Sequence, residues 1–272
     1  MKISIFQGNV VIITGASSGI GRELAIQLAN QGATLVVAAR DIERLENVSA
    51  QCKNGSDKVL VVKTDVGKAS DCENLIKSTI KEYGRIDALI NNAGFAMRAA
   101  FEELPDLTLL ENIMQVNYLG GVYCTYYALP YLKKTGGRIV GISSLAGKTG
   151  VPMVSGYAAS KHAIAGFFDS LRMEVEEYGI SVTMIYPGFV KTEIAERAIG
   201  PDGNPVGDNK KTRAGVMTVE TCARMIIEAT AKRRRELVMT AQGKLGLWIK
   251  LIAPGLVDRI ARKAMPKSRQ KT

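Results

Sequence analysis

The chain has 272 residues, 46% of them hydrophobic and 23% charged, an ordinary globular balance with material for one sizeable core. Its net charge of +10 is unevenly placed: residues 1–209 carry 20 Lys and Arg against 22 Asp and Glu, and residues 210–272 carry 16 against 4. Four scattered cysteines without a CxxC pair (Cys52, Cys72, Cys124, Cys222) argue against a disulfide framework or a metal site and for a reduced, cytoplasmic compartment. The stretch from Met1 to Phe6 is too short before the first strand to read as a signal peptide or a membrane span. The Arg233-Arg234-Arg235 tract reads as a solvated helix end, and nothing else points to nucleic acid.

In chain order, short β-branched runs alternate with amphipathic stretches. Asn9–Thr14 is predicted as a buried strand and Ile20–Gln31 as a helix closed by Gly32. Thr34–Ala39 follows as a strand, and Asp41 caps a helix to about Lys53. Lys58–Lys63 is the third strand, Lys68–Tyr83 a helix, and Ile86–Asn91 the fourth strand. A helix over Asp106–Leu132, a strand over Gly137–Ser143, a helix over Ser155–Tyr178 and a strand over Ile180–Tyr186 complete the series. This alternation predicts an α/β fold: a single Rossmann-type, doubly wound parallel sheet with helices on both faces. Residues 1–240 are read as the dinucleotide-binding and catalytic domain. A lid spans about 189–217 and includes the turn-rich stretch Gly200–Lys211, and 241–272 form a basic amphipathic extension.

Gly15, Ser17, Ser18, Gly19, Ile20 and Gly21 follow the first strand and open the first helix. Glycines there let backbone approach a pyrophosphate, which the helix N-terminus attracts. An acidic residue ending the second strand would bind the ribose hydroxyls of NAD, but Ala38-Ala39-Arg40 stands there. Arg40 is suited to a 2′-phosphate, so NADP(H) is favoured over NAD(H). Asp41 is expected to turn toward its own helix as an N-cap. Asp65 and Val66 end the third strand, Asn91, Ala93 and Gly94 the fourth, and Pro187, Gly188, Val190 and Thr192 follow the sixth. These strand ends form the remaining cofactor candidates.

Tyr157 and Lys161 stand four apart, hence on one helix face, with Ser144 thirteen positions upstream of the tyrosine. A tyrosine near pKa ~10 is a poor base at neutral pH, and a fixed positive charge beside it favours phenolate. Tyr157 then donates a proton in reduction and accepts one in oxidation, while Ser144 orients the reacting oxygen. The lone histidine, His162, points off this face and is read as packing.

Over residues 8–240 the chain resembles the short-chain dehydrogenase/reductase family. The resemblance rests on Gly15, Gly19 and Gly21, on Asn-Asn-Ala-Gly at 91–94, on Tyr-x-x-x-Lys at 157–161, and on Ser144, Asn117 and Pro187-Gly188. The stretches Ser143–Lys148, Pro152–Val154 and Gly166–Arg172 look most like the 11β-hydroxysteroid dehydrogenase-like branch, whose N-terminal membrane anchor this sequence does not show. The resemblance implies ribose binding by Lys161, a water-linked proton relay through Asn117, and a homodimer or homotetramer.

Ser144, Leu145, Met153, Val154, Phe189 and Ile194 are the first candidates for the substrate pocket, with Phe95, Ile199 and Met217 behind them. Their apolar character suits a lipid-like or steroid-like ketone, or an aromatic aldehyde. The expected activity is therefore NADP(H)-dependent interconversion of a carbonyl and its alcohol. Reduction of 3-oxoacyl thioesters, and a non-catalytic NADPH-binding sensor or scaffold, are the alternatives. In the extension, Trp248 and a run of Leu and Ile mix with Lys and Arg. Peripheral membrane contact, a subunit contact and a flap over the active-site mouth all remain open there.

Overall fold

The computed structural model describes residues 4–53, 55, 58–207 and 216–263. Seven strands form one parallel sheet: β1 (Val10–Thr14), β2 (Thr34–Ala39), β3 (Val59–Lys63), β4 (Ala88–Asn91), β5 (Arg138–Ile142), β6 (Ser181–Tyr186) and β7 (Glu236–Val238). Their order across the sheet is β3-β2-β1-β4-β5-β6-β7. The chain winds outward in both directions from the β1/β4 pair, and loops diverging there leave a crevice at the carboxyl ends of the strands.

Alternation along β1 explains the layering. Val11 and Ile13 pack toward α1 (Gly19–Ala29), α2 (Ile42–Cys52) and α7 (Val219–Ala231), with Leu24, Leu45 and Ile226 in the same buried cluster. Val10 and Ile12 point the other way, toward α3 (Ala69–Tyr83), α5 (Gly120–Thr135) and α6 (Ser155–Glu174), among Leu75, Cys124 and Phe168. Every β1 side chain is buried, as a strand covered on both faces requires. Burying each large aliphatic contributes about 1.5–3 kcal/mol.

The expected helix over Asp106–Leu132 is interrupted. α4 (Thr108–Met114) runs into a π-helical turn, Gln115–Leu119, before α5 begins. Gly120 packs so tightly that a Cβ there would stand 2.8 Å from Val66 Cγ2; apolar periodicity does not report such a bulge. The helix read to Tyr178 ends at Glu174 and gives way to a 3-10 turn closed by Gly179 at φ 66°. α7 and β7 went unread in the sequence.

Arg233 is no free helix end. Its guanidinium donates to the carbonyls of Gly179 and Gly136, each at 2.7 Å. Those glycines close the turns that enter β6 and β5. After β7 come α8 (Ala241–Ile252) and α9 (Pro254–Lys263). Among the described residues no helix is long and apolar enough to cross a membrane.

Candidate active site

Thr14 and Asn92 join the two strands at the crevice. Asn92 donates its side-chain amide to the carbonyls of Thr14 (3.0 Å) and Gly15 (3.2 Å). The Thr14 hydroxyl accepts from the Asn92 and Ala93 N–H groups, both at 3.1 Å. These bonds pin the glycine turn against the end of β4. Gly15 has φ 65°, and a Cβ there would lie 2.7 Å from Ala93 Cα, so both conformation and space demand glycine. Gly19, at φ 52°, faces the Thr192 side chain.

The residues at this turn fit a dinucleotide phosphate. α1 starts after Ser18 with neither a side-chain cap nor an acidic residue in its first turn. α2, α7 and α8 receive side-chain caps from Asp41, Thr218 and Thr240, while α3, α4 and α6 share the uncapped start of α1. The N-terminus of α1 therefore keeps backbone donors and a favourable dipole for an anion. Ser17, Ser18 and Ile20 are half-buried around it.

Arg40 is exposed beyond β2. It shares an open hollow of about 310 Å³ with Lys63, Asp65, Lys68, Asp71 and Asn74. Asp41 accepts from the Arg44 N–H at 3.1 Å, the capping role expected for it. One Asp65 oxygen is engaged by the Gly67 N–H at 3.0 Å. Val66 is buried against α5, and Asn91 turns inward, donating to Thr125 Oγ1 at 3.1 Å. The side chains of Val66 and Asn91 thus serve the interior. Asn91 Oδ1 has no hydrogen-bond partner among the described residues, and Asn91 borders a small internal cavity with Thr14, Ala93 and Asn117.

α6 and the end of β5 bring the catalytic candidates together. The Ser143 hydroxyl donates to the Lys161 carbonyl at 2.9 Å, fastening the serine loop to the middle of α6. Ser144 Oγ accepts from the Ala146 N–H at 3.1 Å, and the Ser144 side chain stands close enough to the Tyr157 hydroxyl to lower its pKa. The Lys161 ammonium sits 5.8 Å from the Tyr157 ring centre and donates to the Ile142 carbonyl at 3.0 Å. It is 5% exposed, and no carboxylate pairs with it among the described residues. Burial pushes its pKa down from 10.5 to about 8, because the charged form loses its hydration.

Burial raises the Tyr157 pKa and the Ser144 side chain opposes that rise. Desolvation is the larger of the two effects, so the phenol holds its proton at neutral pH, the state a proton donor needs.

Asn117 lies in the π-helical turn and is buried. Its Oδ1 accepts from the Phe95 N–H, and its Nδ2 donates to the Phe95 carbonyl and to Ser160 Oγ, at 2.9, 2.9 and 3.0 Å. The amide is thus spent on positioning backbone. A Cβ on Gly94 would stand 2.9 Å from Asn117 Oδ1 and 3.4 Å from Lys161 Nζ, so glycine alone lets these groups converge.

The pocket candidates divide. Phe95 packs in a small cluster with Tyr157, Met97 and Leu110. Leu145, bonded through its N–H to the Pro187 carbonyl at 3.1 Å, lies under α8. Met153 has φ 66° and gives its carbonyl to the Ala99 N–H at 2.9 Å; a non-glycine residue held there stores strain. Val154 precedes α6 and is half-buried, and Phe189 and Ile194 are exposed. Ile199 pairs with Met97 on the strand-like segment after β4. Met217 is a correction. It bridges to Val190 and packs against the α1/α7 core, so it fills interior space. His162 is another, being exposed, with its ring nitrogen 2.8 Å from the Ala158 carbonyl. Part of the lid reading, 208–215, lies outside the described residues.

Sequence reasoning missed Asn92, Ser143 and Ser160 as positioning residues. Asn92 stood inside the Asn-Asn-Ala-Gly motif and Ser160 beside Lys161, but their partners lie tens of residues away.

A parallel sheet with this strand order, a glycine turn that fits an anion and a Ser-Tyr-Lys cluster at its carboxyl edge are the features of a dinucleotide-dependent oxidoreductase fold. Residues 9–200 match the family model of the short chain dehydrogenases, and the chain belongs to the short-chain dehydrogenase/reductase family. It is 37% identical over 274 residues to a dehydrogenase/reductase SDR family protein 7-like protein of Dictyostelium discoideum, covering 98% of this chain and 85% of that one. It is 38% identical over 264 residues to 11-beta-hydroxysteroid dehydrogenase A of Sesamum indicum, covering 94% and 75%. In fold it matches a short-chain dehydrogenase/reductase of Burkholderia phymatum in complex with NAD, with a TM-score of 0.81 at 24% identity over 92% and 95% of the chains. An alcohol dehydrogenase of Thermococcus sibiricus complexed with 5-hydroxy-NADP gives a TM-score of 0.73 at 26% identity over 85% and 95%. The expectations of family and fold are therefore met, and the chain is an oxidoreductase of the kind that acts on CH–OH groups.

Proposed function

We propose that the chain is an NADPH-preferring carbonyl reductase and alcohol dehydrogenase for an apolar, lipid-like or steroid-like substrate. The carrying observation is the buried Lys161 ammonium, without a carboxylate partner among the described residues, beside a Tyr157 phenol whose pKa the Ser144 side chain influences. A buried cation this poorly compensated marks a functional site more often than a structural one.

When bound, the nicotinamide supplies the hydride in reduction and accepts it in oxidation. The α1 N-terminus and its glycine turn would hold the phosphates, Arg40 the 2′-phosphate and Lys161 the nicotinamide ribose. Tyr157 gives its phenolic proton to the carbonyl oxygen of the substrate and takes it back in the reverse direction. Ser144 hydrogen-bonds that oxygen and fixes its position. Asn117 holds the Phe95 backbone, and so the wall beside Tyr157, in place, and its likeness to the family's asparagine supports a water-linked proton relay past it.

Relatives carrying NAD and an NADP derivative divide the cofactor evidence, so the preference rests on Arg40 and on Lys63 and Lys68 around the same hollow. The apolar substrate is supported by Phe95 at Tyr157, by exposed Phe189 and Ile194 after β6, and by the hydroxysteroid name of the Sesamum relative. Exposed Tyr126 on α5 and Met173 on α6 support a homodimer or homotetramer, countable by sedimentation velocity.

The test is a panel of ketones, aldehydes, alcohols and 3-oxoacyl thioesters assayed with NADPH and NADH. Turnover of apolar carbonyls with NADPH supports the reading. Activity confined to acyl thioesters would replace the substrate, and NADPH binding without any turnover would make the chain a sensor.

A further inference from the structure

α8 and α9 end the described chain, and neither buries a side chain fully. Their inner sides are nevertheless engaged. A Cβ on Gly243 would stand 2.9 Å from both methyls of Leu145, the residue after Ser144. Leu247 packs against the buried cluster that holds Tyr186 and Val238, and Lys250 donates to the Lys148 carbonyl at 2.6 Å. The helix pair is therefore seated on the loop that carries the catalytic serine.

Its outer side is apolar. Leu245, Trp248 and Ile252 recur at spacings of three and four along α8, which puts them on one face. Leu256 and Ile260 do the same along α9. All five are exposed, Trp248 by 68% and Ile252 by 84%, with Leu251 beside them at 78%. Six large apolar side chains exposed on two helices that touch each other call for a partner. Arg259 lies three residues after Leu256, on the same face of α9. Across residues 241–263 there are five Lys and Arg and one acidic residue, Asp258, and the following nine residues add Lys267, Arg269 and Lys271 in sequence.

We propose that the α8–α9 pair docks the enzyme on an anionic lipid surface, with the Leu245–Trp248–Ile252 and Leu256–Ile260 rows among the acyl chains and the basic residues at the headgroup phosphates. An apolar row bearing tryptophan beside an excess of Lys and Arg is the composition of an interfacial helix. A second copy of the chain is a poorer occupant. A symmetric contact through this face would bring together two copies of the same net-positive surface. Because α8 rests on Leu145, docking brings the catalytic serine loop close to the lipid, where an apolar carbonyl is concentrated. This last step rests on the substrate reading above; the docking itself does not.

The experiment is vesicle flotation of the full-length protein. Phosphatidylcholine vesicles are compared with vesicles containing about 30% phosphatidylserine, at low and at high salt. Wild-type protein is expected to float with the anionic vesicles at low salt, to lose most of that binding at high salt, and to stay largely free with phosphatidylcholine alone. A Trp248→Ser/Ile252→Ser variant is expected to bind about tenfold less while turning over a water-soluble carbonyl at the wild-type rate, which shows that it is folded. Equal flotation of variant and wild type, or none by either, overturns the proposal. So does a variant that changes oligomer size while the wild type stays unbound, which makes the face a subunit contact. If the wild type floats yet turns over no carbonyl, docking stands and the substrate reading fails.

Discussion

The Lys161 ammonium nitrogen lies 3.0 Å from the Ile142 carbonyl oxygen, so the last residue of β5 holds the cation that stands beside Tyr157. Strand and helix thereby share one fixed point inside the site, and the buried charge is tied to the sheet rather than to a counter-ion.

That arrangement is costly to fold. The lysine pKa is depressed to about 8 from 10.5, so below pH 8 both native and unfolded states carry the charge and the burial penalty is full. Between pH 8 and 10.5 the native state sheds its proton first and the penalty fades. Lys161→Met is expected to stabilise the fold at pH 7 by about 2 kcal/mol, after the loss of the Ile142 hydrogen bond is offset. The gap to wild type should close toward pH 10.5 while turnover is lost throughout. Urea melts at the two pH values decide it.

Tyr157→Phe removes the proton donor and leaves the ring among Phe95 and Leu110. Turnover of a carbonyl should fall at least about 100-fold, with NADPH affinity and melting temperature near wild type. Stopped-flow hydride transfer and cofactor titration measure the two parts. A variant that retains its turnover sinks the acid–base assignment.

Arg40→Ala deletes the exposed cation at the end of β2. NADPH binding should weaken by about 10- to 100-fold, and NADH binding should change by no more than about twofold. Equal losses for both cofactors, read by fluorescence titration, would remove the 2′-phosphate from the argument.

Asn117→Ala leaves the part-buried Phe95 N–H and carbonyl without their side-chain partner. The expected cost is about 2–3 kcal/mol of stability, accompanied by lower kcat as the wall beside Tyr157 loosens. Asn117→Asp, which keeps the acceptor for the Phe95 N–H, should recover part of the stability. An Ala variant that melts like wild type would show the clamp to be dispensable.

Much of this site was readable because its signals are local. The glycine turn, the Tyr157/Lys161 spacing and the Asp41 cap each act within a few residues, where geometry follows from helix and turn rules. The parallel sheet was legible for the same reason, from strand-length apolar runs between amphipathic helices. What escaped depends on distant packing. The π-helical turn reflects Gly120 pressed on Val66, the inward Asn91 side chain reflects Thr125 on a neighbouring helix, and the Met217 position reflects a bridge to Val190. None of these contacts has a sequence period.

Arg233 lies at the opposite end of the sheet from the chemistry. By gripping Gly136 and Gly179 together it sets the starting heights of β5 and β6. Those strands run up to Ser144 on one side and Pro187 on the other. A single guanidinium thus ties together the two turns from which the strands leading to Ser144 and Pro187 begin.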